Sequence, residues 1–264
     1  MSGNESTNAY FVRESGSRFR PTDHVGGGWD PNEQHIAPSI GLLAHVIESD
    51  FAARRPHDDL RLNRLSCDIL GVMPLEPVDV SVSVLRPGRT IELVEARLSH
   101  NGRDAAVARA WLSARYDTAA LAGSGFSAMP PLSAMQQWGL HKTWPGGFVK
   151  STQIWRDQQA TGRVRFWLRS DVALLENEQV SPTAHLLRLI DVANGVASRV
   201  PPGEVAFPNL DLTAHLFRQP TGELTGLDTT ASFGPDGAGL TQSVLHDEHG
   251  PIGTFAQTLT VRPK

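Results

Sequence analysis

Residues 35–51 read HIAPSIGLLAHVIESDF. Ile36, Ile40, Leu43, Ile47 and Phe51 recur at spacings of three and four. That spacing lines them up on one face of an amphipathic helix of about five turns. Pro38 falls in the first turn, where a missing N–H costs little. Upstream, Tyr10 to Asp30 mixes short extended signals with a Gly26-Gly27-Gly28 break. Downstream of Pro56 the period changes. Val78, Val80, Val82 and Val84 alternate with Asp79, Ser81 and Ser83, the pattern of a half-buried antiparallel strand. Arg86-Pro87-Gly88 makes a turn. Thr90–His100 and Ala105–Arg115 read as two more strands joined at Asn101-Gly102, a favoured hairpin dipeptide. Leu62–Leu70 is a further strand. The first half is therefore one long helix followed by antiparallel strands.

The same order then returns. Ser181-Pro182 is an N-cap followed by an N1 proline. Leu186, Leu187, Ile190, Ala193 and Ala197 form the apolar face of a second helix, with Arg188 and Asp191 expected as a surface ion pair of small worth. A strand at Arg163–Arg169 precedes this helix, and strands at 209–217, 224–233, 241–246 and 254–262 follow it. Pro38 meets Pro182 at an offset of 144, and Asp68 meets Asp211 at 143. Element order and near-constant offset together argue an internal duplication. The expected organisation is one repeat over 9–116, a linker over 117–147 rich in Ala, Gly, Ser and Pro, and a second repeat over 148–264. Two such sheets can join edge to edge and hide an exposed edge.

Composition limits the function. The chain has 264 residues, 40% of them hydrophobic and 20% charged, with 24 Lys and Arg against 28 Asp and Glu. A formal charge of −4 lacks the basic footprint of a nucleic-acid binder. The lone Cys67 cannot form an intrachain disulfide or a thiolate cluster. Residues 1–20 are polar, with no secretory signal, and residues 1–8 are expected to fray. No run reaches membrane-spanning length. The expectation is a cytoplasmic protein, without nucleic-acid or membrane partners, that forms a homodimer. The histidines show no metal-ligand spacing, so no metal is expected. No P-loop, dinucleotide fingerprint or Gly-x-Ser-x-Gly elbow is present.

A helix packed in the curl of an antiparallel sheet, made twice in one chain, is the double hotdog arrangement, an α+β fold. Residues 35–44, HIAPSIGLLA, resemble the HGGPPAALLA segment of thioesterase-II-like acyl-CoA thioesterases, with Ile36-Ala37 in place of the Gly-Gly pair. Leu65–Pro77 with Arg86-Pro87-Gly88-Arg89 resembles that family's next strand pair. Asn209–Thr213, Gly234–Leu240 and Asp247–Gly253 resemble its C-terminal half. The resemblance implies hydrolysis of an acyl-CoA to free acid and CoA with no cofactor. It also implies a site built from an Asp, a Thr or Ser, and a Gln of the second repeat. These fall on Asp211, Ser232 or its near neighbour Thr230, and Gln257, with His35 and Asp68 as substrate-binding candidates.

The chemistry suits a thioester, whose carbonyl is already electrophilic. A carboxylate can take a proton from water, and a hydroxyl and an amide can hold that water in line. Backbone N–H groups at a helix start can stabilise an oxyanion. Taken alone, Asp211 lies on the polar parity of its strand with Thr213 and His215, as an ordinary solvated carboxylate does. Ser232 and Thr230 are ordinary strand residues. Gln257 is more telling, because it shares the apolar parity of Phe255 and Leu259, and a buried amide must find partners. Two other readings compete. Asp30-x-Asn32-x-x-His35 has the spacing of the hotdog enoyl-CoA hydratases, in which Asp and His divide base and acid roles. A double hotdog can also bind acyl-CoA without hydrolysing it.

Overall fold

The computed structural model describes residues 7–264; most of the N-terminal stretch expected to fray lies outside them. Sixteen strands are present among the described residues. The first half supplies β1 (Ala9–Arg13), β2 (Arg18–Pro21), β3 (Leu60–Ile69), β4 (Val78–Arg86), β5 (Ile91–His100) and β6 (Arg103–Ala114). The second supplies β7 (Gln136–Trp138), β8 (Thr152–Ala160), β9 (Arg163–Ser170), β10 (Ala173–Leu175), β11 (Val205–Ala206), β12 (Asp211–Leu216), β13 (Thr225–Phe233), β14 (Ala238–Asp247), β15 (Gly250–Thr260) and β16 (Arg262–Pro263). Strands β11 and β16 pair with each other. The rest form one sheet in the order β10-β1-β2-β4-β5-β6-β3-β12-β15-β14-β13-β9-β8-β7.

The halves join twice within this sheet. Antiparallel β3 and β12 meet with Asp68 opposite Asp211. Strand β10 of the second half runs parallel to β1 of the first, so each half closes an edge of the other. The Asn101-Gly102 hairpin forms as its sequence predicts. Asn101 has φ 49° and Gly102 φ 77°, the left-handed pair that matches the twist of the flanking strands. A Cβ at Gly102 would touch nothing, so Gly102→Ala tests backbone strain alone. It should cost about 1–2 kcal/mol and lower the melting temperature by roughly 2–4 °C per kcal/mol, measured by thermal melting.

Helix α1 (Ile36–Arg54) is the long helix of the first half and packs on β3–β6. Its N-cap is His35, whose Nδ1 accepts a hydrogen bond from the Ala37 N–H at 3.2 Å. The expected single stripe is too narrow a description. Every residue from Ala37 to His45 is buried, because the second half covers the face turned away from the sheet. At Gly41, α1 packs closely against the end of α3. A Cβ there would lie 2.4 Å from the Arg188 Cβ and 2.9 Å from its Cα.

The second helix differs from its expectation. Instead of one long helix there are α3 (Pro182–Leu187), a 3₁₀ turn at Ile190–Val192, and α4 (Ala193–Val196), following the short α2 (Gly147–Ser151). Ser181 caps α3 as predicted, accepting from the Ala184 N–H at 3.0 Å. The predicted apolar residues Leu186, Leu187, Ile190, Ala193 and Ala197 are all buried. Arg188 and Asp191 are buried too, at 1% and 3% exposure, and do not pair. Arg188 donates to the Ser170 carbonyl and approaches His185, while Asp191 faces the opposite way. Segment 117–147, expected as a linker, is packed in its second part, where Met135, Leu140 and Trp144 join the interior. No helix among the described residues is long and apolar enough to cross a membrane.

Candidate active site

The site forms where the start of α1, the 3₁₀ turn at Ile190–Val192 and the central strands meet. The turn points Asp191 inward. Its Oδ1 accepts from Asn209 Nδ2 at 2.7 Å and from Gln257 Nε2 at 2.8 Å. Asn209 stands just ahead of β12 and is held in place by a second bond, from Nδ2 to the Asp211 carbonyl at 3.2 Å. Gln257 is fully buried on β15, as its parity predicts. Asp191 Oδ2 carries neither amide and lies 3.8 Å from His35 Nδ1. That nitrogen is already an acceptor for the helix cap, so the imidazole proton resides on Nε2. The His35 ring lies against Phe148 at 4.2 Å between centroids.

Burial governs the charge states. Among the described residues no cation faces Asp191, and loss of water outweighs the two amide bonds, pushing its pKa up to about 7. Burial drives His35 the other way, down to about 3, so it is neutral at ordinary pH. Burial also pushes the Cys67 thiol up, which keeps it protonated and inert. Asp191, Asn209 and His35 open onto a cavity of about 140 Å³ that also touches Gly28, Trp29 and Asn194. Gly146 gives this wall its close packing. Its φ is +95°, and a Cβ would lie 2.2 Å from the Gly27 carbonyl oxygen, so only glycine fits.

The structure gathers some of the sequence-derived candidates and separates others. Gln257 and His35 are at the site. Asp211 is not the carboxylate that meets Gln257; its Oδ1 accepts from the Thr258 N–H at 2.7 Å, away from the cavity. Ser232 and Thr230 are exposed on β13. The buried hydroxyl of that strand is Thr229, which bonds Ser243 at 2.7 Å and makes no bond to the Asp191 group. Asp68 is exposed across from Asp211. Asp30 lines the cavity, but its carboxylate accepts from Asn32 and makes no hydrogen bond to His35. The observed trio is thus one carboxylate and two amides, with Asn209 where a hydroxyl was expected. Asp191 and Asn209 were missed. The available signal was a carboxylate inside the apolar run Leu189-Ile190-Asp191-Val192-Ala193.

Comparison with known proteins agrees with this architecture. Residues 25–113 match the acyl-CoA thioesterase N-terminal domain, and residues 124–261 match the acyl-CoA thioesterase C-terminal domain. The chain belongs to the acyl-CoA thioesterase family. Solved structures of similar fold span nearly all of this thioesterase-family chain. A hot dog fold protein of unknown function from Alicyclobacillus acidocaldarius superposes with a TM-score of 0.75 at 12% identity, covering 97% of each chain. An acyl-CoA thioesterase II from Mycobacterium marinum does so with a TM-score of 0.65 at 15% identity, covering 96% of each. A tesB protein from Mycobacterium avium subspecies paratuberculosis gives the same values. At such identities the likeness is one of fold. No curated protein matches this family member's sequence.

Proposed function

We propose that the protein hydrolyses an acyl-CoA thioester to the free acid and CoA, with Asp191 as general base. The observation that carries the proposal is a buried carboxylate whose Oδ1 is fixed by two amides while Oδ2 stays free beside a cavity. A water in that cavity gives a proton to Asp191 Oδ2 as its oxygen attacks the thioester carbonyl carbon. The tetrahedral adduct then collapses, the C–S bond breaks, and the departing thiolate takes the proton back from Asp191. The carboxylate is regenerated without any covalent enzyme intermediate. Asn209 and Gln257 orient the base, and neutral His35, its Nδ1 engaged by the helix cap, lines the water's approach. A base with a pKa near 7 is matched to work near neutral pH.

Free-thiol release from a set of acyl-CoAs tests this reading. Wild-type protein and Asp211→Asn should both release thiol, because the Asp211 side chain points away from the cavity. Gln257→Leu removes one of the two bonds that favour the ionised base. Its pH–rate curve should shift to the alkaline side, with turnover at pH 7 reduced and partly recovered at higher pH. Full activity in Gln257→Leu with an unmoved pH–rate curve would count against Asp191 as the base. The hydratase alternative is less favoured by the geometry, since the Asp30 carboxylate is engaged by Asn32 and makes no hydrogen bond to His35.

A further inference from the structure

Behind the site cavity lies a second, smaller one of about 30 Å³. The two share Gly28, Trp29, His35 and Asn194 as a common wall. Beyond that wall the lining changes character. Leu140, Trp144, Val149 and Val192 are all buried apolar side chains, and an acyl chain is the part of a thioester that such walls favour. The Trp144 indole lines this cavity. Its Nε1–H donates to the Gly195 carbonyl at 3.2 Å. Its ring stands edge-on to Trp29 at 4.7 Å and to Phe207 at 5.8 Å. Three contacts in different directions hold the ring across the cavity, and only 6% of Trp144 is exposed.

We infer that this small cavity receives the acyl tail and that Trp144 is its floor, which makes the preferred substrates short-chain acyl thioesters. The inference rests on the thioesterase reading and names its substrate class. The size argument is direct. A space of about 10–15 Å³ holds one water-sized group, so this one holds about two methylenes beyond the carbonyl carbon and its neighbour in the front cavity. Propanoyl and butanoyl groups fit, whereas an octanoyl tail would have to displace the indole. A charged tail would meet no charged partner in this lining, where the polar side chains are the neutral His35 and Asn194 of the shared wall.

Two measurements test the inference. The first is kcat/KM for thiol release from acetyl-CoA through dodecanoyl-CoA. The second is the affinity of the matching S-alkyl-CoA thioethers, which bind without turnover. Wild type should peak at propanoyl or butanoyl and fall at least tenfold by octanoyl in both. Trp144→Ala should move the optimum to hexanoyl or longer, and Trp144→Phe should move it by one or two carbons while keeping the fold. Gly195→Ala places a Cβ 3.3 Å from Trp144 Nε1 and should shift preference toward acetyl. A wild-type optimum at octanoyl or longer, or a folded Trp144→Phe and Trp144→Ala with the wild-type profile, would overturn the inference. Thioether binding with the short-chain profile but no thiol release from any acyl-CoA would leave the pocket standing and sink the hydrolase reading instead.

Discussion

Asp191→Asn will cost about 10²–10⁴-fold in thiol release, the range for loss of a positioned general base. An amide can still accept from Asn209 and Gln257 through its oxygen, so the packing around it survives while the proton acceptor is lost. The wild-type kcat/KM should rise with pH through about 7, because the base works only when ionised and burial holds Asp191 near that value. His35 does not contribute an opposing limb near neutrality, since it deprotonates at about 3. The same variant should gain stability. Burial raises the Asp191 pKa on folding from its ordinary value of 3.8 to about 7. A raised acid contributes stability that is fully present below the unfolded pKa and lost as pH rises through the folded one. Asp191 should therefore withdraw stability between about pH 4 and pH 7, by an amount on the order of a few kcal/mol, against the opposite contribution of His35, whose pKa burial lowers to about 3. Asp191→Asn should lack that decline and melt higher than wild type above pH 7. Thiol-release assays and thermal melts across pH check both halves. A variant with near-wild-type turnover, or with an unchanged stability profile, would remove Asp191 from the role given to it.

Gly41→Ala should disrupt the packing of α1 against α3. The new Cβ would stand 2.4 Å from Arg188 Cβ, 2.9 Å from its Cα and 3.0 Å from the Ala184 carbonyl oxygen. Two of those atoms are backbone, so no rotamer change can relieve the contact, and α1 must move away from α3. Overpacking of this kind costs roughly 1–3 kcal/mol and sometimes more, or several degrees in melting temperature at about 2–4 °C per kcal/mol. Activity should fall further than stability alone explains. Asp191 lies three residues past Arg188, and His35 begins the other helix, so a shift of α3 against α1 alters the Oδ2–Nδ1 separation directly. Melting curves with kcat measured well below the transition separate the two effects. A variant that melts within a degree of wild type would show that the helices part at no cost.

Much of the fold was legible because it follows from period and spacing. The helix at the start of the first repeat, the valine strand at Val78–Val84, the Asn101-Gly102 turn and the Ser181 cap each follow from local chemistry. Gln257 was legible for the same reason, as an amide on an apolar parity. The rest was hidden by tertiary facts. The break between α3 and α4 carries no proline and no glycine before Gly195, so a 3.6-residue period runs through it undisturbed. Within β13, one residue separates exposed Thr230 from buried Thr229, and a one-residue difference exchanges the faces of a strand. Asp211 stands in the segment where the resemblance calls for an acid, but its side chain accepts from the Thr258 N–H instead. Its three-residue spacing from Arg188 makes Asp191 resemble half of a surface pair, whereas both side chains are buried and apart. Segment 117–147 was expected as a linker from composition, while the indole at Trp144 packs against glycine and aromatic neighbours brought from distant parts of the chain.

The offset of 144 that sets Pro182 on Pro38 sets Asp191 on Ile47. Ile47 is fully buried in the first repeat, as its counterpart is in the second. An assembly of identical single-repeat subunits could not differ in this way, since any residue it contained would appear in every copy. Placing an unpaired carboxylate in an interior costs several kcal/mol, and such an assembly would bear that cost at each equivalent position. Joining the repeats through one peptide chain lets the position be aliphatic on one side and acidic on the other. The covalent link thereby confines the electrostatic burden of the proposed chemistry to a single place, and leaves the other half free to act as its hydrophobic support.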